Sequence, residues 1–209
     1  MLYFLLSILG LEFNMTETLI EVVGLENKFG EQWIHNDLNF CINKGSIVGI
    51  IGGSGAGKTT LLRSMLRLHA PVAGRISMFG SDLWSADEKS LQQIRIKTGI
   101  LFQKSALFSG LSILENIMFP LKQLTTLDYD FIKELAYLKL LQVGLFETDA
   151  YKMPSELSGG MQKRAAAARA IVLEPDLLFL DEPVAGLDPK SAQAFDDLLL
   201  FLRDQLGLT

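Results

Sequence analysis

Three short stretches of the 209-residue sequence hold residue types whose spacing could handle phosphate. The first is Gly52-Gly53-Ser54-Gly55-Ala56-Gly57-Lys58-Thr59-Thr60: a glycine, four residues, then Gly-Lys-Thr. Glycines let backbone amides turn inward and approach phosphate oxygens with no side chain in the way. Lys58 is then placed for the β- and γ-phosphates of a nucleoside triphosphate, and the Thr59 hydroxyl for Mg²⁺. The second stretch is Leu177-Leu178-Phe179-Leu180-Asp181-Glu182, an apolar run closed by two adjacent carboxylates. Side chains alternate along a strand, so the two carboxylates can do different work. Asp181 suits the orientation of Mg²⁺ and its waters, and Glu182 suits polarising the water that attacks a γ-phosphate. In the third, Leu157-Ser158-Gly159-Gly160-Met161 runs straight into an alanine-rich segment. That is a helix start capped by Ser158, with amides that favour an anion. Taken singly, the three read as a glycine-rich turn, a strand-ending turn and a capped helix. Together, in their flanking pattern, they read as a nucleotide site.

These residues need elements to hold them. Leu19–Val23 is β-rich, and Leu38, Phe40 and Ile42 alternate with polar neighbours as a half-buried strand does. Ser46–Ile51 is apolar on both faces, which predicts a central strand leading into the glycine loop. Leu61, Leu62, Met65 and Leu66 recur at helical spacing over 59–68. Arg75–Phe79 and Gly99–Phe102 read as strands, 131–143 and 161–173 as helices, and Leu177–Leu180 as a buried strand. Asp188-Pro189 opens a last helix, with the aspartate as cap and proline in the first turn. Strands alternating with helices make an α/β sheet with a helical block set into its middle.

Composition narrows the class. With 49% hydrophobic and 21% charged residues the chain is a globular domain, not a disordered tract. Nineteen basic against twenty-four acidic residues give a net charge of −5, which opposes broad nucleic-acid binding. One cysteine, Cys41, excludes an intrachain disulfide framework and a cysteine-rich zinc site. Residues 1–11 are apolar, but lack the basic start and cleavage pattern of a signal peptide and are too short to span a bilayer. The readings of residues 1–16 are an upstream start with Met15 as the natural first residue, a disposable extension, or a segment lying on a surface.

The ordered set of motifs resembles the ATP-binding-cassette family, over residues 18–209. The resemblance implies a P-loop NTPase fold of the ABC type, with an antiparallel β subdomain and an inserted helical subdomain over about 86–172. It implies that ATP and Mg²⁺ are bound and ATP is hydrolysed. It assigns Gln103 as the glutamine that senses Mg²⁺ and γ-phosphate, and Ser158, Gly159 and Gly160 as the signature that meets the γ-phosphate of a second subunit in a head-to-tail homodimer. Asp188, with Gly186 and Leu187, matches the loop beside the attacking water. Phe29 sits where the family keeps an aromatic on adenine. The implied partners are that second subunit and an integral-membrane permease, with no nucleic acid, and the implied place is peripheral, at the cytoplasmic face of the bacterial inner membrane. Met161, 101–108 and 114–121 are similar to ATPases of Mla and Mce-type phospholipid-transport systems, which adds a periplasmic Mce-domain lipid-binding protein as a further partner.

Departures from the pattern leave alternatives. Gly53 stands for a common proline and Met161 for the usual glutamine, and neither removes a phosphate contact. The family's switch histidine follows the helix that spans 190–205 here, whereas the two histidines, His35 and His69, lie far upstream. The expectation is a chain truncated before that strand, with both histidines on the surface. Beside a lipid transporter stand the ATPase of another transporter, such as a polar-solute importer, and a non-hydrolysing nucleotide-binding module. DNA-repair members need a long coiled coil between Gln103 and Ser158, for which there is no room, and translation members carry two cassettes.

Overall fold

The computed structural model describes residues 17–53 and 55–209. β1 (Thr18–Phe29) and β2 (Gln32–Asn43) form a long hairpin, and β3 (Ala73–Met78) and β4 (Ser81–Asp82) extend it to a sheet of order β2-β1-β3-β4. Every pairing in it is antiparallel. β1 buries Leu19, Ile20, Val22 and Leu25, and β3 adds Ile76 and Met78. Against this layer pack Leu61, Leu62 and Met65 of α1 (Lys58–Met65) and Leu91 and Ile94 of α2 (Glu88–Ile96).

β5 (Thr98–Leu101) and β6 (Leu177–Leu180) run parallel, with Thr98 opposite Leu177 and Leu101 opposite Leu180. A parallel pair needs a long crossover, and here it is the helical block: α3 (Ile113–Leu124), α4 (Tyr129–Gln142) and α5 (Gly159–Ile171). Its core joins Ile113, Ile117 and Met118 to Ala136, Leu140 and the wholly buried Ala165–Ala168, then to Phe195 and Leu202 of α6 (Pro189–Leu206). Phe179 and Leu177 of β6 face the other cluster, so this strand separates two cores and ends at Asp181 between them.

The alanine run of α5 exists for close approach. A Cβ on Gly99 of β5 would lie 2.4 Å from the Ala170 carbonyl oxygen, so only glycine fits where α5 crosses β5. Gly99→Ala is expected to destabilise the fold by about 1–3 kcal/mol, the usual cost of overpacking against backbone. A lower urea midpoint with an unchanged slope is the expected readout.

Two findings differ from the sequence reading. Ser46–Ile51 is not a buried central strand: it belongs to neither sheet, and Ile47, Val48, Ile50 and Ile51 are exposed, Ile51 to 98%. A central strand needs a ladder on both edges. The edge of β6 away from β5 instead gives the Leu178 N–H to the Thr209 carbonyl at 2.9 Å, and the Gly45 N–H goes to Thr209 Oγ1 at 2.8 Å. The second is α2, an amphipathic helix the periodicity did not single out. Its Asp87 cap accepts the Ser90 N–H at 2.9 Å.

Candidate functional site

The glycine loop feeds α1 through Gly57, whose φ of 89° puts the cap residue in the left-handed region. A Cβ there would fall 2.5 Å from Ile34 Cγ2 and 2.6 Å from His35 Nε2, so the loop can lie this close to β2 only as glycine. Gly55 is also left-handed, and the Ala56 N–H closes a turn on the Gly53 carbonyl at 3.2 Å. Lys58 Nζ donates to the carbonyls of Gly52 at 2.6 Å and Gly53 at 2.9 Å, folding its ammonium back over its own loop. Thr59 and Thr60 stand in the first turn of α1, at its positive dipole end. The expectations for Ser54, for the Phe29 side chain and for residues 1–16 fall outside what is described.

His35 is half-buried rather than fully on the surface. It pairs across the β1–β2 ladder with Asn27, whose Nδ2 lies 3.1 Å from His35 Nδ1, and buried Asn27 accepts from Ser64 Oγ of α1 at 3.3 Å. Burial lowers the imidazole pKa, which keeps it neutral near pH 7. His69 is half-buried as well, at the end of the turn after α1. A polar chain thus ties the β hairpin to the helix behind the phosphate loop.

β5 and β6 end side by side. The Asp181 N–H donates to the Leu101 carbonyl at 2.9 Å, which continues the ladder one step and fixes where both strands stop. Gln103 and Glu182 follow at once, and Gln103 Nε2 donates to Glu182 Oε2. Glu182 has a φ of 45°, an uncommon conformation for a non-glycine residue and one that tends to persist at functional sites. The sequence pair expected at the γ-phosphate is therefore in contact. Lys163 of α5, only 5% exposed, donates its ammonium to the Gln103 carbonyl. Burial pushes its pKa down, against the pull of Asp181 and then Glu182.

Ser158 caps α5 by accepting the Met161 N–H at 3.3 Å, and Gly159 and Gly160 form its first turn. Asp188 caps α6, accepting from the N–H groups of Lys190 at 3.1 Å and Ser191 at 3.0 Å. The Ser191 hydrogen bonds hold its carboxyl below the usual carboxylate range. The cap thus supports α6 above that ordinary range and is lost as pH falls through the lowered pKa. The two helix starts face one another across a cleft of about 180 Å³ lined by Ser158, Gly160, Met161, Arg164 and Ser191. Within one chain the signature glycines thus meet the start of α6, while Lys58 meets its own loop. Sequence reasoning missed Lys163 and Arg169. The only trace of them was that the alanine-rich helix carries three cations, Lys163, Arg164 and Arg169.

Comparison with known proteins shows the family and the fold. The family model described as "ABC transporter" matches residues 35–185. The chain is 43% identical over 195 residues to the intermembrane phospholipid transport system ATP-binding protein MlaF of Haemophilus influenzae, covering 93% of this chain and 74% of the relative. It is 38% identical over 190 residues to the probable ribonucleotide transport ATP-binding protein mkl of Mycobacterium bovis, covering 91% of this chain but only about half, 53%, of that one. Among solved structures, the ATP-binding cassette MJ0796, a post-hydrolysis dimer bound to ADP and Pi, superposes with a TM-score of 0.79 at 30% identity, covering 90% of this chain and 84% of that one. A P-loop, two adjacent carboxylates closing a parallel strand, a glutamine touching one of them and a serine-capped glycine helix start occur here in one order and one fold. The chain belongs to the ABC transporter family, as an ATP-binding cassette subunit.

Proposed function

We propose that the chain hydrolyses ATP to drive a phospholipid transporter, working as a head-to-tail homodimer on an integral-membrane permease at the cytoplasmic face of the bacterial inner membrane. The observation that carries the catalytic half is the Gln103–Glu182 contact at the ends of β5 and β6. It places an amide that can report on the γ-phosphate against the carboxylate suited to activating water. The transport half is supported by the 43% identity to an intermembrane phospholipid transport ATPase. No helix among the described residues is long and apolar enough to cross a membrane; in this reading the path for lipid lies in the permease. A periplasmic Mce-domain protein would hand lipid to or from it.

Thr59, Gln103 and Asp181 offer a hydroxyl, an amide oxygen and one carboxylate, the hard oxygen donors Mg²⁺ takes beside phosphate oxygens. Bound there, Mg²⁺ supplies neutralisation of the charge that gathers on the transferring phosphoryl group. Lys58, released from Gly52 and Gly53, meets the β- and γ-phosphates, and the Gly55–Gly57 backbone cradles them. Ser158, Gly159 and Gly160 complete the site of the second subunit, beside that subunit's Asp188 loop. The helical block of α3, α4 and α5, within the expected span of about 86–172, is the part that receives the permease.

The test reconstitutes the chain with the membrane protein that copurifies with it, in vesicles of phosphatidylethanolamine and phosphatidylglycerol. Mg-ATP should drive transfer of a fluorescent phospholipid to acceptor vesicles, and Glu182→Gln should abolish it. ATP hydrolysis stimulated by a ribonucleotide or other polar solute, with no lipid transfer, would replace this reading with the polar-solute one.

A further inference from the structure

The loop after β5 is held in an unusual way. Ser105 and Ala106 both have left-handed backbones, with φ of 61° and 48°, a conformation non-glycine residues keep only where their surroundings impose it. Its carbonyls turn toward α5. Gln103 O accepts from Lys163 Nζ, Ser105 O from Arg169 Nη2 at 2.9 Å and Ala106 O from Arg169 Nη1 at 2.7 Å. The Arg169 guanidinium also lies 5.8 Å from the centre of the Phe108 ring, over the end of the same loop. Three of four consecutive carbonyls thus accept from two cations of one helix, sixty or more residues away in sequence. Charge-assisted hydrogen bonds are stronger than neutral ones, and more so out of water. Lys163 is nearly inaccessible, so little water competes for its ammonium.

The two ends of this connection matter. At its N-terminus α5 carries Ser158, Gly159 and Gly160. At the loop, Gln103 reaches Glu182 through its side chain. Between them α5 is rigid: Ala165–Ala168 are buried against the helical core, and Ala170 is pressed on Gly99.

We propose that Lys163 and Arg169 are positioning residues that make α5 and the Gln103 loop a single moving part. On the reading of the chain as a dimeric ATPase, displacement of the signature glycines by the second subunit's nucleotide then shifts Gln103 and, through it, Glu182 in the same chain. One site would thereby report its occupancy to the other without passing through the membrane partner.

The test uses the whole chain with Lys163→Met, which keeps length and apolar stem, Lys163→Arg, which restores the charge, and Arg169→Lys. The first readout is amide hydrogen exchange of residues 104–107 without nucleotide, so it needs no activity. Lys163→Met and Arg169→Lys should each speed it at least roughly tenfold, while the second half of α5 stays protected and Lys163→Arg remains close to the parent. The second readout is ATP turnover. Lys163→Met should lower kcat about tenfold with KM within about twofold, and in a Gln103→Ala background it should add less than about twofold, because it acts through Gln103. Unchanged exchange at 104–107, or kcat losses that multiply, would overturn the proposal. Loss of protection throughout α5 would overturn it too, by making the two cations ordinary fold supports. A parent chain that does not turn over ATP would instead sink the proposed function, with the exchange result still deciding whether the loop and helix are joined.

Discussion

Glu182→Gln should lower steady-state ATP turnover by about 10²–10⁴-fold, or about 3–5 kcal/mol of transition-state stabilisation, while leaving nucleotide affinity nearly unchanged. Glutamine keeps the size of the side chain and its contact with Gln103, but cannot take a proton from water. The proposed phosphate cradle lies on other elements, the loop before α1 and the start of α5, and is untouched. Binding without turnover should trap the dimer closed on ATP. Phosphate release and size-exclusion chromatography in Mg-ATP are the two measurements. Turnover at the parent rate would mean another residue is the base.

Lys58→Ala should weaken Mg-ATP binding at least about tenfold, a loss of about 1.4 kcal/mol or more. Two effects add. The variant removes the cation meant for the β- and γ-phosphates. It also removes the two hydrogen bonds to Gly52 and Gly53 that brace the loop without nucleotide. Lys58→Arg separates them: a larger, planar donor can replace the charge but not the compact fit within a turn whose Gly57 has no room for a Cβ beside Ile34 and His35. Calorimetry giving equal affinities for parent and Lys58→Ala would remove the phosphate assignment.

Local signals in the sequence were strong where the physics is local. The Asp188-Pro189 start of α6, the limits of β6 and the serine cap of α5 all depend on residues within one turn or one strand, and all stand in the structure as read. The ABC resemblance rests on the glycine loop, Gln103, the Ser158–Gly160 start and the Asp181–Glu182 pair, in that order along the chain. Ser46–Ile51 shows the limit: its apolar run says that it could be buried, not which strand lies beside it, and pairing is a long-range property. His35 failed for a similar reason, since its partner Asn27 is adjacent only through the hairpin register. Lys163 and Arg169 contact carbonyls sixty or more residues upstream, and a cation in a helix carries no mark of where its side chain will end. α2 had a local cue, Asp87 three residues before Ser90, but only Leu91 and Ile94 to show its buried face.

The open stretch at 46–51 has a consequence for handling as well as for folding. Ser46-Ile47-Val48-Gly49-Ile50-Ile51 is uncharged, rich in β-branched residues, free of proline and outside either sheet. Those are the features of a segment that templates cross-β stacking between molecules. Nothing resembling a gatekeeper charge lies inside it, the nearest being Lys44 and Lys58 at its flanks. Two molecules meeting along this segment would pair in a register unrelated to the proposed head-to-tail arrangement. On the proposed function, crowded chains would face two competing routes of self-association, a reversible one that ATP favours and a sticky one that concentration alone favours.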